Sequence, residues 1–448
     1  VPSIVARRRA VAPLRRVPER EVLGLQERGS ARLTSFLRSR ETAMYVGAEH
    51  NVRRWRESTT GPVLAWMGVL AAFAFGSRSL LAAGIPTVGE FLHFPESPRA
   101  LFDSYANGWS PNGTGSTAPN PTGWATLATL SFTTLFRMGL LHTVFILGLV
   151  VVGLIGLWRL ATVFPSTRAR IAALLVYAAS PLVGGALGSG SLETLVAFAA
   201  CPWILHTLRI AAGVGTADPR TAEADIADGI VDLAWPERLR RLLQFALVVA
   251  LAAAFVPVML PIALAIGALL AGASLLALAP WRTAALFLGT TVAGCAVAAL
   301  LNMPWITSWT WGRLVGPSPI GDPGRGLGDL AAFEIGPVDF AYLSLALYLP
   351  VVAAILLARA WRLTWAVRSG VLVVAFGAFA VLGDQGNMPF AMPTAGILLV
   401  PVAVGLAVSA AAAVAAFDLD VRGGEFGWRQ PLGLAASVAV IVGIVPGV

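Results

Sequence analysis

The chain has 448 residues, 57% of them hydrophobic and only 12% charged, with a mean hydropathy of +0.75. That charge content is about half the usual share for soluble domains, so a water-soluble globule is excluded and an all-α, polytopic membrane protein is expected. The net charge of +8 does not point to nucleic acid: every basic residue is Arg, and thirteen of the 32 fall within residues 1–56, where the anionic lipids of a cytoplasmic leaflet are the simpler partner.

Richness in Ala, Gly and Val with no Lys suggests a GC-rich bacterial genome, and hence the bacterial plasma membrane. "VARRRAVAPLRR" is followed by no apolar core, so it is not read as a secretory signal. The chain opens on Val and ends inside the apolar run "AASVAVIVGIVPGV". Both ends are therefore expected to be cuts in a longer protein. Residues 1–61 form an Arg-rich juxtamembrane segment or linker, weakly amphipathic from Glu19 to Arg40 through Val22, Leu25, Leu33, Phe36 and Leu37.

From residue 62 to 448 a multi-span domain is predicted. About 20 apolar residues are needed to cross a bilayer as a helix. Spans are placed at 62–83, 138–158, 171–189, 191–211, 242–258, 262–280, 283–303, 339–358, 369–383, 395–416 and 431–448, eleven in all. The stretch 123–136, "GWATLATLSFTTLF", is too short and too rich in Thr and Ser to cross, and is read as an interfacial or re-entrant helix. With the N-terminus inside, 27 of the 32 Arg lie on the cytoplasmic side, and Arg78, Arg99, Arg137, Arg313 and Arg325 lie outside. This is a strong positive-inside bias. The outer segments are then 84–137, 304–338 and 384–394, and the main inner loop is 212–241, an acidic linker with a basic end.

Candidate chemistry concentrates on the outer side. "YANGWSPNGTGSTAPNPTGW", residues 105–124, interrupts the apolar sequence with turn-forming Pro, Asn and Gly. Trp109 and Trp124 within it suit either an aromatic belt or a ligand. Just upstream lie Glu90, Glu96 and Asp103. A carboxylate at the membrane surface can serve as a general base, or hold a metal and a phosphate. Glu90 and Asp103 sit among aromatics and are the catalytic candidates. In the second outer segment, Trp305, Trp309 and Trp311 precede Arg313. Aromatic faces stack on sugars, and Arg clamps phosphate. Glu193, in "GSGSLETLVAF", is ionisable within a membrane segment and so a functional candidate by default. Trp109, Trp309, Arg313 and Glu193 are thus the substrate-binding candidates, with Glu90, Asp103, Trp109 and Arg313 expected to line one pocket.

Other signals are weaker. "GRGLG" at 324–328 lacks the preceding strand of a phosphate loop, and "DLD" at 418–420 lacks the context of a metal motif. Cys201 and Cys295 lie in apolar runs and read as buried thiols. The four His are scattered, so no metal site is assigned.

"REVLGLQERGS", "VGEFLHFP", "GWSPNGTGSTAPNPT", "VYAASPLVGGALGSG", "ACPWIL" and "FGWRQ" resemble the membrane region of large actinobacterial glycosyltransferases, in which a cytosolic family 2 transferase domain precedes a multi-span part. The resemblance covers most of 20–448. It implies a membrane-embedded part of a glycosyltransferase of cell-envelope polysaccharide biosynthesis, with the fused or partner cytosolic domain and its nucleotide-sugar site lying outside this chain. The topology is also similar to that of polyprenyl-phosphate-sugar-dependent transferases. That similarity implies a lipid-linked sugar as donor, and admits a divalent metal as its companion. Two other classes stay open: a transporter or flippase of a lipid-linked glycan, and a non-catalytic membrane platform for a partner enzyme.

Overall fold

The computed structural model describes residues 60–109, 117–214, 233–315, 325–336, 341–359, 361–418 and six isolated positions between 431 and 442. The predicted N-terminal segment, most of the inner loop and nearly all of the eleventh span lie outside the described residues. The rest is helical. In chain order the helices are α1 Thr60–Gly76, α2 Arg78–Ala83, α3 Pro98–Ala106, α4 Thr122–Leu130, α5 Met138–Leu160, α6 Thr167–Ala178, α7 Pro181–Ser189, α8 Leu192–Ala211, α9 Trp235–Phe255, α10 Met259–Leu276, α11 Trp281–Leu301, α12 Trp311–Val315, α13 Leu327–Ala331, α14 Leu349–Leu357, α15 Trp361–Asp384 and α16 Ala395–Ala416.

Seven helical stretches among the described residues are long and apolar enough to cross a membrane: 138–163, 167–189, 192–211, 259–276, 281–301, 361–384 and 395–416. The shorter apolar helices Thr60–Gly76 and Tyr342–Leu357 fall on two more predicted spans. α9 falls on another, and its charged start, Glu237 to Arg241, keeps it out of the first group. A polytopic helical bundle is therefore the fold. Its breaks follow local chemistry. The predicted span 171–189 divides at Ser180–Pro181, because Pro at the first position of α7 supplies no N–H to continue α6. Ser166 and Ser191 accept the backbone N–H of Ala169 and Thr194, capping α6 and α8.

α16 is the hub. It packs against α15, α6, α14 and α8 and is buried along nearly its whole length. Its Ala, Val and Gly sequence has no polar face, as expected of a helix surrounded by other helices. Small residues allow close approach: Ser409 and Ser369 share a 2.8 Å hydrogen bond across α16 and α15. One residue earlier stands Arg368, fully buried. Its Nε donates to Ser274 Oγ at 3.0 Å, and its guanidinium lies over Phe287 and Trp365, 5.1 and 5.0 Å from the ring centroids. The sequence pattern assigns Arg368 to an inner loop before a span at 369–383. Instead α15 begins at Trp361, and its first turns are already inside the bundle.

The predicted interfacial stretch 123–136 is α4 followed by a short 3₁₀ turn, Ser131–Thr134. With α3 it builds a small separate core, Leu101, Leu127, Met138 and Leu141, with Trp124 and Phe255 against it. Residues 98–106 and 122–134 thus form a folded cap on the ends of α5 and α9.

Candidate functional site

After α2 the chain runs without helix to α3, and Glu90 is fixed there from two sides. Its backbone N–H donates to the Gly190 carbonyl at 2.8 Å. Its Oε2 accepts the backbone N–H of Glu193 at 2.9 Å. Residues 190–193 are thereby clamped between the main chain and the side chain of one residue. Gly89 and Gly190 make the approach possible. Both have positive φ, 57° and 73°, and a Cβ on either would overlap the carbonyl of the facing segment, Ser189 for Gly89 and Val88 for Gly190. "VGE" and "GSGSLE", remote in sequence, are therefore two halves of one junction.

The electrostatics follow from that position. The carboxylate meets the exposed N–H groups of the α8 N-terminus, where negative charge is favoured. Burial of the carboxyl end nevertheless pushes the Glu90 pKa above the usual carboxylate value of 4.5, against the lowering pull of the Glu193 and Leu192 N–H groups. The residue as a whole keeps solvent contact, so water screens part of this effect. Glu193 occupies the first turn of α8 within electrostatic reach of Glu90. Two carboxylates from separate segments thus share one helix start. Hard divalent cations such as Mg²⁺ take one or two carboxylates plus substrate phosphates, and this pair presents such oxygens. Among the described residues no group of three or more His, Cys, Asp and Glu side chains could enclose a metal.

The other predicted residues divide. Asp103 is 65% exposed and takes its partner, Arg99, from its own helix at 3.8 Å. Trp109 is half exposed. Its carbonyl accepts from buried Asn120, which also donates to the Ser104 carbonyl at 2.6 Å. Asn120 therefore ties the two described ends of the polar stretch together. Trp309 stacks edge to face on Trp305 at 5.2 Å, and its buried indole Nε1 has no hydrogen-bond partner among the described residues. Arg313 is exposed and donates to the Ser308 carbonyl at 3.3 Å. The described parts of segments 304–338 and 384–394 meet at one end of the bundle. Gly185 of α7 lies against Ile335 and Gly336, and the Trp311 indole donates to the Ala391 carbonyl at 2.9 Å. The structure thus joins Glu90 to Glu193, where the sequence pattern groups Glu90 with Asp103.

His142 was not among the predicted site residues. It is buried, its Nε2 has no partner among the described residues, and Phe94 packs on it edge to face at 4.7 Å. His93 stands 6.4 Å away, ring to ring. At the opposite end of the bundle, Asp418 of the "DLD" motif accepts from Ser166 Oγ at 3.0 Å and pairs with Arg168 at 3.3 Å. Those contacts give this acid a structural role.

No known family model matches the chain, and no curated protein does. Among solved structures, 88% of the chain is similar to part of a cryo-EM structure of arabinofuranosyltransferase AftD from Mycobacteria, with 17% sequence identity and a TM-score of 0.48. The chain spans 27% of the length of that structure. A likeness of this size assigns no activity.

Proposed function

We propose that this chain is the membrane region of a glycosyltransferase of cell-envelope glycan assembly, drawing its sugar from a polyprenyl phosphate at the outer face of a bacterial plasma membrane. The observation that carries the reading is the Glu90 carboxyl, held against the α8 N-terminus by the Glu193 N–H at 2.9 Å, beside a second carboxylate. The sequence motifs that resemble actinobacterial membrane glycosyltransferases support it, and Glu90 lies within one of them, "VGEFLHFP".

In this reading Glu90 is the general base. The hydroxyl oxygen of the acceptor attacks the anomeric carbon and its proton passes to Glu90. The bond from that carbon to the phosphate oxygen breaks, and the lipid phosphate leaves with the bonding electron pair. A base whose pKa is raised toward working pH transfers protons more effectively than an ordinary carboxylate. Trp109 and Trp309 offer aromatic faces to sugar rings, and Arg313 offers a guanidinium to the phosphate. Asp103, exposed and paired with Arg99, is given no part in the proton transfer in this reading.

The test is sugar transfer from a panel of polyprenyl-phosphate sugars by the full-length protein in nanodiscs. Glu90→Gln keeps an oxygen that can accept the Glu193 N–H but removes the proton acceptor. It should lower the rate by about 10²–10⁴ with no loss of unfolding temperature. Full transfer by Glu90→Gln and by Glu193→Gln would overturn the reading and leave the chain a conduit or platform.

A further inference from the structure

At the end of the bundle away from Glu90, α5 and α8 finish side by side. Three cationic or hydrogen-bond-donating side chains gather there. Arg159 is in the last turn of α5, and Arg209 in the last turn of α8. His206, one turn before Arg209, is within electrostatic reach of both. Arg209 is only 7% exposed, and its Nε is buried without a hydrogen-bond partner among the described residues, as is Nδ1 of His206. Trp203 walls the cluster: its indole donates to the Val152 carbonyl on α5 at 2.9 Å, and its ring meets His206 edge on at 6.1 Å.

A buried guanidinium N–H without an acceptor is costly, and buried charges are ordinarily paired. The helix C-termini offset part of the charge, since carbonyl ends favour cations, but they leave Nε unsatisfied. The described acids at this end are already engaged. Glu237, which opens α9, is held by Arg240 at 3.4 Å and Arg241 at 2.6 Å, and Arg241 also reaches the Ile210 carbonyl at the end of α8. Asp418 is held by Arg168 and Ser166. The position therefore calls for an anion from outside the described chain. The depth narrows its chemistry. Membrane-spanning helices end where lipid phosphates lie, and a guanidinium fork matches two phosphate oxygens.

We propose that Arg159, His206 and Arg209 form a binding site for a phosphate group at this end of the bundle, separate from the Glu90 site. The Arg209 fork takes two phosphate oxygens, Arg159 reaches in from the exposed side, and His206 donates from below. A membrane lipid headgroup and a soluble phosphate would both satisfy this chemistry.

The full chain in detergent would be titrated with phosphatidylglycerol, with inorganic phosphate and with uncharged diacylglycerol, following unfolding temperature and, by native mass spectrometry, bound lipid. Phosphatidylglycerol should stabilise the protein and diacylglycerol should not. Arg209→Gln should weaken phosphatidylglycerol binding roughly 10- to 100-fold without lowering the unfolding temperature of the ligand-free protein. Arg159→Gln alters an exposed residue and should weaken binding about tenfold in an intact fold. Stabilisation by phosphatidylglycerol alone makes the lipid the source, and equal stabilisation by inorganic phosphate makes a soluble phosphate sufficient. Wild-type affinity in both variants, or no stabilisation by either probe, overturns the proposal. So does an equal loss of ligand-free stability in Arg209→Gln and in Asp225→Asn/Asp228→Asn, because the chain's own carboxylates would then fill the site.

Discussion

The carboxylate of Glu90 accepts the backbone N–H of Glu193 across 103 residues of chain, at 2.9 Å. This contact fixes the chain around Glu90 on the start of α8. It also places an acid whose ionisation is opposed by burial where the sugar chemistry is proposed.

The first prediction concerns pH. The folded Glu90 pKa is raised above its unfolded value of 4.5, so between the two values the native state binds more protons than the unfolded state. Stability then falls as pH rises through that window. The contribution is complete below 4.5 and is lost once pH passes the folded value. Thermal unfolding of the wild type and of Glu90→Gln, measured across the acid-to-neutral range, should show the wild type losing ground to the variant as pH increases. A constant difference would contradict the assigned burial.

Gly190 and Gly89 should be intolerant of any side chain. Gly190→Ala and Gly89→Ala each place a Cβ at positive φ against a carbonyl of the facing segment. Each should cost about 1–3 kcal/mol and should also reduce transfer activity, because Glu90 would be displaced. Thermal unfolding alongside the transfer assay checks this. Loss of stability with full activity would separate the junction from the site.

Arg368 should resist conservative replacement. Arg368→Lys keeps the charge but replaces a planar group spanning Phe287 and Trp365 with a compact ammonium. A loss of about 1–2 kcal/mol is expected, and a larger one for Arg368→Ala, which also opens a cavity beside Ser274. Unfolding temperatures in detergent rank the three proteins, and equal values for Arg and Lys would remove the stacking argument.

Asp418 should behave as a structural partner of Ser166 and Arg168. Asp418→Asn should cost no more than about 1 kcal/mol, since Arg168 is partly exposed. Transfer activity and its response to Mn²⁺ should not change. A variant that loses Mn²⁺ dependence would restore the metal reading of the motif.

Orientation is testable on intact cells. Gly113→Cys should react with a membrane-impermeant thiol reagent and Arg220→Cys should not, as the arginine distribution requires. The native thiols Cys201 and Cys295 are buried and should contribute little background. The reverse labelling pattern would sink the topology.

The membrane class, the position of nearly every described span and the non-spanning character of 123–136 were legible in the sequence, because partition into a bilayer depends on the apolar content of one continuous stretch. Glu90, Glu193 and Trp309 were also legible as candidates, being polar or aromatic residues at the borders of apolar runs. The association of Glu90 with Glu193 was not. It depends on two glycines that let distant segments touch, and no local pattern records which segments meet. The burial of α16 and of Arg368 was hidden for a related reason. In a bilayer, lipid-facing and helix-facing surfaces are both apolar, so hydrophobic periodicity does not mark the inside. Tertiary packing alone decides which apolar helix becomes the hub, and which arginine near a helix end is drawn into the interior.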